Sequence, residues 1–465
     1  MGLKSDKRTG VKSQLRERFP EAFKDFPSLL EARNASRATR EQAFACIDGN
    51  VLMMSVPQGC RTFDDYIRIV YSSLMKASAT ALVTIVVFDD PSAMTEAKMQ
   101  EQMKRDASRA ATTVKCSSDM QDVTTSASPD DYTKDYIVSM EDVHVLKANR
   151  GSRMRFFDEV AMTVLERLKN QIKRWNDSGY PGGYIVFDGV DPRGASRGVG
   201  EKRVSEMVAS SDDVAETFAR EFKIGEGDLK LAQIGRRVRE VAAAGEMDGP
   251  LKDTKLTLCT TIDTDSFAIE LIEEAKRSQD ATVSPVNTLL CMREKAQKRG
   301  FDDDHREAYY LCCDVSLLHS LLQRHMWGMN KRPPAIDQRA AMTLMVAGWG
   351  VCGCDFVELK GMRSDVVFDS ISEIVKTRKD SLSLMQHSWN GERDSVSLTH
   401  KPIKELLIAC ASKLMDVPRI KKEFVPTVRD PDEVILKRLG WLCSYWNSVE
   451  HKGNMEEFGF VRPFA

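Results

Sequence analysis

The chain has 465 residues, 42% of them hydrophobic, with 67 basic against 69 acidic side chains and a net charge of -2. That length buries a large core and divides into one elaborate domain or two to three ordinary ones, while near-zero charge excludes a bulk electrostatic field as the means of holding a polyanion. Any such partner must meet local basic patches.

No apolar run approaches the roughly 18 residues of a membrane span, and "MGLKSDKRTG" lacks the apolar region of a signal peptide. The expectation is an intracellular protein, cytoplasmic or nuclear, with no membrane partner. Asp6 stands where a myristoylation motif on Gly2 wants Ser or Thr, which argues against a lipid anchor. The eleven cysteines are scattered and read as reduced thiols, and neither Cys312-Cys313 nor Cys352-Gly-Cys354 has a second pair at zinc spacing.

In chain order, "AFACIDGNVLMM" (43–54) and "ATALVTIVVFDD" (79–90) read as buried strands separated by the helical "FDDYIRIVYSSLMKA". The polar stretch 117–134 reads as a loop or linker, 155–175 has helical periodicity, and "GGYIVFDG" (182–189) reads as a third strand. A capped helix is expected over 210–222, a strand in "LTLCTT", and a mostly helical pattern beyond about 380. Strands alternating with helices predict an α/β fold: a central, mainly parallel twisted sheet with helices on both faces, plus a mostly helical C-terminal region.

Acids recur at the ends of the strand-like runs. Asp48 follows "FACI", Asp89 follows "IVVF", Asp188 follows "YIVF", Asp263 and Asp265 follow "LTLCTTI", and Asp355 closes "AGWGVCGCD". In an open α/β sheet the carboxyl ends of parallel strands open onto one crevice, so these acids would converge there. Like charges so gathered need a counter-charge, and hard oxygen ligands suit Mg²⁺ or Mn²⁺, two of which about 4 Å apart serve in-line hydrolysis of a phosphodiester. Taken singly, each Asp is as well explained as a helix cap or turn residue.

"KIGEGDLKL" adds Glu226 and Asp228 among glycines that open a helical pattern. With this motif, the order of acids resembles the flap endonuclease / XPG superfamily of metal-dependent 5′ nucleases, whose catalytic domain is PIN-like. In character the chain is similar to the flap-endonuclease-like proteins of large DNA viruses, and "GEGD" also resembles the 5′→3′ exoribonucleases. The resemblance runs from "MGLKSDKRTGVKSQLRERFPEAF" (1–23), which looks like the family's Met-Gly start and first helix, through "ACIDGNV", "VVFDDPSAMTEAKMQ", "GEGDLKL" and "TTIDTDSF" to "AGWGVCGCDFVELKGM".

The resemblance implies a PIN-like catalytic domain over 1–376, with an insertion at about 110–180 and a degenerate helix-hairpin-helix at about 350–376. Residues 377–465 would form a helical region of unplaced role. It further implies that Asp48, Asp89, Glu226, Asp228, Asp263, Asp265 and Asp355 bind two metal ions and are catalytic. Asp188 is the alternative to Asp89, because "DGVDPR" also matches the second-strand motif. Nucleic acid would be held by Gly2 and by the arch residues Lys98, Lys104, Arg105 and Arg109, or, if Asp188 is the ligand, by Arg193, Arg197, Lys202 and Arg203. Lys98 and Arg105, almost two helical turns apart, would face one side of a helix.

The implied activity is hydrolysis of DNA at a 5′ flap, end or single-strand/duplex junction in replication, repair or recombination. An exoribonuclease-like enzyme and a catalytically silent binding or structural protein of a viral complex are the alternatives. The hairpin keeps Gly361 but lacks the family's second glycine. The N-terminal cations Lys4, Lys7, Arg8, Lys12, Arg16 and Arg18 read equally as a phosphate path or a charged surface helix, while Trp327, Trp349, Trp441 and Trp446 read as core.

Overall fold

The computed structural model describes residues 10–57, 59–89, 133–147, 150–178, 183–188, 227–244, 251–277, 286–295, 308–328, most of 341–350, and 364–377. In chain order the elements are α1 (Val11–Arg18), β1 (Phe23–Phe26), α2 (Leu29–Ala35), β2 (Ala43–Asp48), α3 (Gly49–Met54), α4 (Phe63–Thr80) and β3 (Val83–Val87). There follow α5 (Lys134–Ser139), α6 (Arg150–Asp177), β4 (Tyr184–Asp188), α7 (Gly227–Ala244), β5 (Leu256–Thr261) and α8 (Asp265–Arg277). The last are β6 (Asn287–Lys295), β7 (Ala308–Asp314), α9 (Val315–Trp327) and α10 (Ser364–Thr377).

The chain is an α/β protein with a mostly parallel mixed sheet of seven strands in the order β1-β7-β6-β5-β2-β3-β4. Strands β4, β3, β2, β5 and β6 run parallel, and β7 is antiparallel to both β6 and β1. From β2 the chain builds outward through β3 to β4, then returns to place β5 on the other side of β2. The direction of winding therefore reverses between β2 and β5, the topological switch point at which open α/β sheets bind their ligands.

Period-two alternation explains the layers. On β2, Phe44 and Cys46 join one apolar cluster with Ile85, Val87, Cys259 and helices α7, α8, α9 and α10. Ile47, with Val86, Ile185 and Phe187, joins a second cluster under α4 and α6 on the opposite face. A sheet covered on both faces demands the near-continuous apolar runs found here, and each fully buried Phe, Ile or Val adds about 1.5–3 kcal/mol.

Helix α4 shows how sequence sets the outer layer. Thr62 and Asp65 form a reciprocal capping box, and Phe63, Tyr66, Ile67, Val70 and Leu74 recur at helical spacing on its buried side. Within the stretch read as an insertion, α6 packs Phe156, Phe157, Val160 and Val164 into the same cluster, as one of the described helices between β3 and β4.

Three expectations need correction. The strand read over 43–54 stops at Asp48, whose Oδ1 accepts the backbone N–H groups of Asn50 (2.8 Å) and Val51 (3.3 Å) and so starts α3. The strand read over 79–90 is confined to Val83–Val87, because residues 79 and 80 close α4. The first helix read through Phe23 ends at Arg18, and Phe23–Phe26 pairs with β7 as a strand. The loop at 117–132, the helix at 210–222, the part of the hairpin at 351–363 and the tail beyond 377 lie outside the described residues.

Among the described residues no helix is long and apolar enough to cross a membrane. The six described cysteines are free thiols, five of them buried. Trp349 is fully buried and packs on Phe368 at 5.8 Å, and the half-buried Trp327 packs against the same cluster.

Candidate active site at the carboxyl ends of the strands

The centre of the site is Asp48, the last residue of β2 and only 7% exposed. Burial, then the charge of Asp89, then that of Asp263, push its carboxyl up to about 7, against the downward pull of its two backbone hydrogen bonds. Asp89 and Asp263 are thus the acids that Asp48 meets, one from each strand flanking β2.

Asp89 lies two residues past β3, half-buried, and its Oδ1 accepts the N–H of Gly227 at 2.9 Å. This contact joins the end of β3 to the first residue of α7. A side chain at Gly227 would crowd it, since a Cβ there would lie 3.3 Å from Asp89 Oδ1. The glycine before Asp228 in the "GEGD" motif therefore permits the close approach of strand end and helix start.

Asp228, half-buried in the first turn of α7, accepts the Ser266 hydroxyl at 3.3 Å. Asp263 occupies the turn leaving β5, where its N–H donates to Thr261 Oγ1 at 3.1 Å and its carbonyl accepts the Ser266 N–H at 3.4 Å. Asp265 opens α8 and is fully buried. Acids at the N-terminal turns of α7 and α8 also meet the positive ends of the helix dipoles.

The structure therefore brings Asp48, Asp89, Asp228, Asp263 and Asp265 to one rim of the sheet, around the switch point between β2 and β5. Asp188 ends β4 with its backbone in register with Val87, and so stands one strand further from β2 than Asp89 does. Glu226, Asp355, Gly2, Lys98, Lys104, Arg105, Arg109, Arg193, Arg197, Lys202 and Arg203 lie outside the described residues.

As donors, these oxygens are of the kind a hard divalent cation takes, and the Asp48 carboxyl is raised first by burial and then by the charges of Asp89 and Asp263. Among the described residues, however, no three His, Cys, Asp or Glu side chains form a group that could hold a metal ion.

Behind the rim lies a small cavity, with room for about one water, lined by Asp228, Cys259, Thr261, Ser266 and Glu270 and by apolar side chains. Glu270 is buried, receives the Cys259 thiol at 3.6 Å, and has its carboxyl pushed up to about 7 chiefly by burial. Buried Arg239 works against that shift and donates to Thr288 at 3.0 Å, while Arg236 pairs with buried Glu273 at 3.6 Å.

The N-terminal cations within the described residues are engaged at home. Lys12 pairs with Glu294, Arg16 with Asp25 at 3.0 Å, and Arg18 with Asp369 at 2.8 Å while lying over the Phe368 ring. They fasten α1 to β6, β1 and α10, which favours the structural reading of these three. Thr261 and Ser266 are the site residues that the sequence reading passed over. Their only signal was a hydroxyl on each side of the paired aspartates.

No protein-family model matches this chain, and no curated protein matches it in sequence.

Proposed function

We propose that the chain is a PIN-like, divalent-metal-dependent nuclease of the flap-endonuclease type, hydrolysing DNA at a 5′ flap, end or single-strand/duplex junction. One observation carries this reading: acids from the ends of β2, β3 and β5 and the first turns of α7 and α8 share the rim at the switch point, with Asp48 pressed by two of them.

In this reading Glu226 and Asp355 join Asp48, Asp89, Asp228, Asp263 and Asp265 in holding Mg²⁺ or Mn²⁺, since the described acids alone form no group of three. Such an ion, when bound, supplies a Lewis acid that stabilises charge on phosphate oxygens and eases loss of a proton from water. The protein's own part is positional. The Asn50 and Val51 N–H groups fix the Asp48 carboxylate, the Gly227 N–H fixes that of Asp89, and the Ser266 hydroxyl fixes that of Asp228. Fixed carboxylates spare the reaction the free energy of assembling them.

The test is cleavage of a 5′-labelled flap duplex and of matched DNA and RNA single strands with Mg²⁺, with Mn²⁺ and with EDTA. Asp263→Asn should abolish metal-dependent cutting while nucleic-acid binding persists, and full activity in that variant would sink the assignment. Preference for the RNA strand would favour an exoribonuclease-like enzyme. A second reading, a nuclease-derived binding protein without turnover, draws support from the absence of a gathered three-acid group among the described residues. Failure of the folded, metal-saturated protein to cut any substrate would favour it.

A further inference from the structure

We infer that Thr261 and Ser266 are positioning residues whose hydroxyls form a directed clasp, holding Asp228 of α7 against the turn between β5 and α8 that carries Asp263 and Asp265. The inference rests on the nuclease reading for its functional meaning and on the following geometry for its substance.

Ser266 Oγ lies 3.3 Å from Asp228 Oδ1 and 3.3 Å from Thr261 Oγ1, and Thr261 Oγ1 lies 3.1 Å from the backbone nitrogen of Asp263. Each hydroxyl has a single proton, and the two ends of the chain settle where both point. The Asp263 N–H can only donate and an ionised Asp228 can only accept. The order is therefore Asp263 N–H to Thr261, Thr261 O–H to Ser266, and Ser266 O–H to Asp228. Bonds aligned this way polarise one another and strengthen together.

Thr261 is fully buried and Ser266 is 5% exposed, so bulk solvent does not reach the clasp, and only the one-water cavity beside it could offer a substitute partner. The clasp joins three elements, β5, α7 and α8, and its Ser266–Asp228 link spans 38 residues of sequence. Removing the Ser266 hydroxyl takes its bond from Asp228, and removing that of Thr261 leaves buried Ser266 without the neighbour that orients it. Ser266→Thr keeps the hydroxyl, and the adjoining cavity, with room for about one water, accommodates the added methyl.

The experiment is Mn²⁺ titration of the full chain, followed by the electron paramagnetic resonance signal of the free ion. It compares the wild type with Ser266→Ala, Thr261→Val, Ser266→Thr and Asp263→Asn, and urea unfolding in EDTA checks that each is folded. Ser266→Ala and Thr261→Val should each weaken Mn²⁺ binding by about tenfold or more, while Ser266→Thr stays within roughly threefold of wild type. Because the links act in series, the Ser266→Ala/Thr261→Val double variant should lose little more than the worse single change.

Wild-type affinity in Ser266→Ala and Thr261→Val, with Asp263→Asn impaired, would overturn the clasp and leave the nuclease reading standing. Equal losses in Ser266→Thr and Ser266→Ala would overturn it too, by showing that packing, not the hydroxyl, matters. A wild-type chain that takes up no Mn²⁺ would overturn the nuclease reading and the clasp's function together.

Discussion

Asp48→Asn should stabilise the metal-free protein and abolish its chemistry. Asparagine keeps the oxygen that caps α3, so what changes is the charge of a side chain only 7% exposed. In the folded chain the Asp48 carboxyl titrates at about 7 because of burial, Asp89 and Asp263, whereas the unfolded chain titrates it near 3.9. Between those values the folded state holds a proton that the unfolded state has shed, so stability falls as pH rises from about 4 to about 7. At roughly 1.4 kcal/mol per unit, the ionised carboxylate at about pH 8 costs at most on the order of 4 kcal/mol. Local relaxation reduces this figure, and a gain of about 2–4 kcal/mol is expected for Asp48→Asn at that pH, shrinking below about 1 kcal/mol at pH ~4.5. Urea unfolding in EDTA across this range, at fixed ionic strength, measures it. A variant no more stable than wild type at about pH 8 would refute the reasoning, since it would mean that burial and the two neighbouring acids do not penalise the ionised Asp48. Mg²⁺ at about a hundred times its Kd should add roughly 2.7 kcal/mol to the wild type and much less to the variant.

Gly49→Ala tests the packing immediately behind Asp48. A Cβ there would lie 2.4–2.6 Å from ring carbons of Phe88, itself buried and stacked on Phe187, so a net loss of about 1–3 kcal/mol is expected by urea unfolding. Combining it with Phe88→Leu should recover part of that loss, and simple additivity of the two changes would contradict the clash. His319, buried in α9, has its pKa lowered to about 4, chiefly by burial. The unfolded chain takes up a proton below about pH 6.5 that the folded chain refuses, so this group removes stability as pH falls from there to about 4. Relative to wild type, His319→Asn should therefore be about 2–3 kcal/mol better placed at pH ~4.5 than at pH ~7.5. An unchanged difference between the two pH values would show that His319 is accessible to protons in the folded state.

Four parallel strands, β2 to β5, were legible because a strand buried on both faces must be written almost wholly in apolar and β-branched residues, as in "VTIVV" and "YIVF". The acids stood out for the same reason, as charges ending apolar runs, although a helix cap is an ordinary place for such an acid and Asp48 fills one. The exact end of β2 was not, because apolar residues continue through "GNVLMM" while the backbone turns helical; only the Asp48 cap and the Gly49–Phe88 contact decide it. β1 escaped because "FKDF" is four residues long and gains its partner, β7, from some three hundred residues away. Asp228's dependence on Ser266 was invisible for a related reason: hydroxyls identify themselves only once three elements have met.

The winding order that creates the switch point also governs how the chain must come off the ribosome. The central strand β2 meets β3 within about forty residues, but its other neighbour begins at Leu256, opposite Ala43, and β1 waits for Cys313 opposite Phe23. At about 5–20 residues per second, one edge of β2 stays unpaired for on the order of ten to forty seconds of synthesis. An unpaired apolar strand edge is a template for association with other chains. High contact order here makes folding slow. Expression at low temperature or with added chaperone should accordingly improve the yield of soluble protein more than strengthening any single contact in the finished sheet.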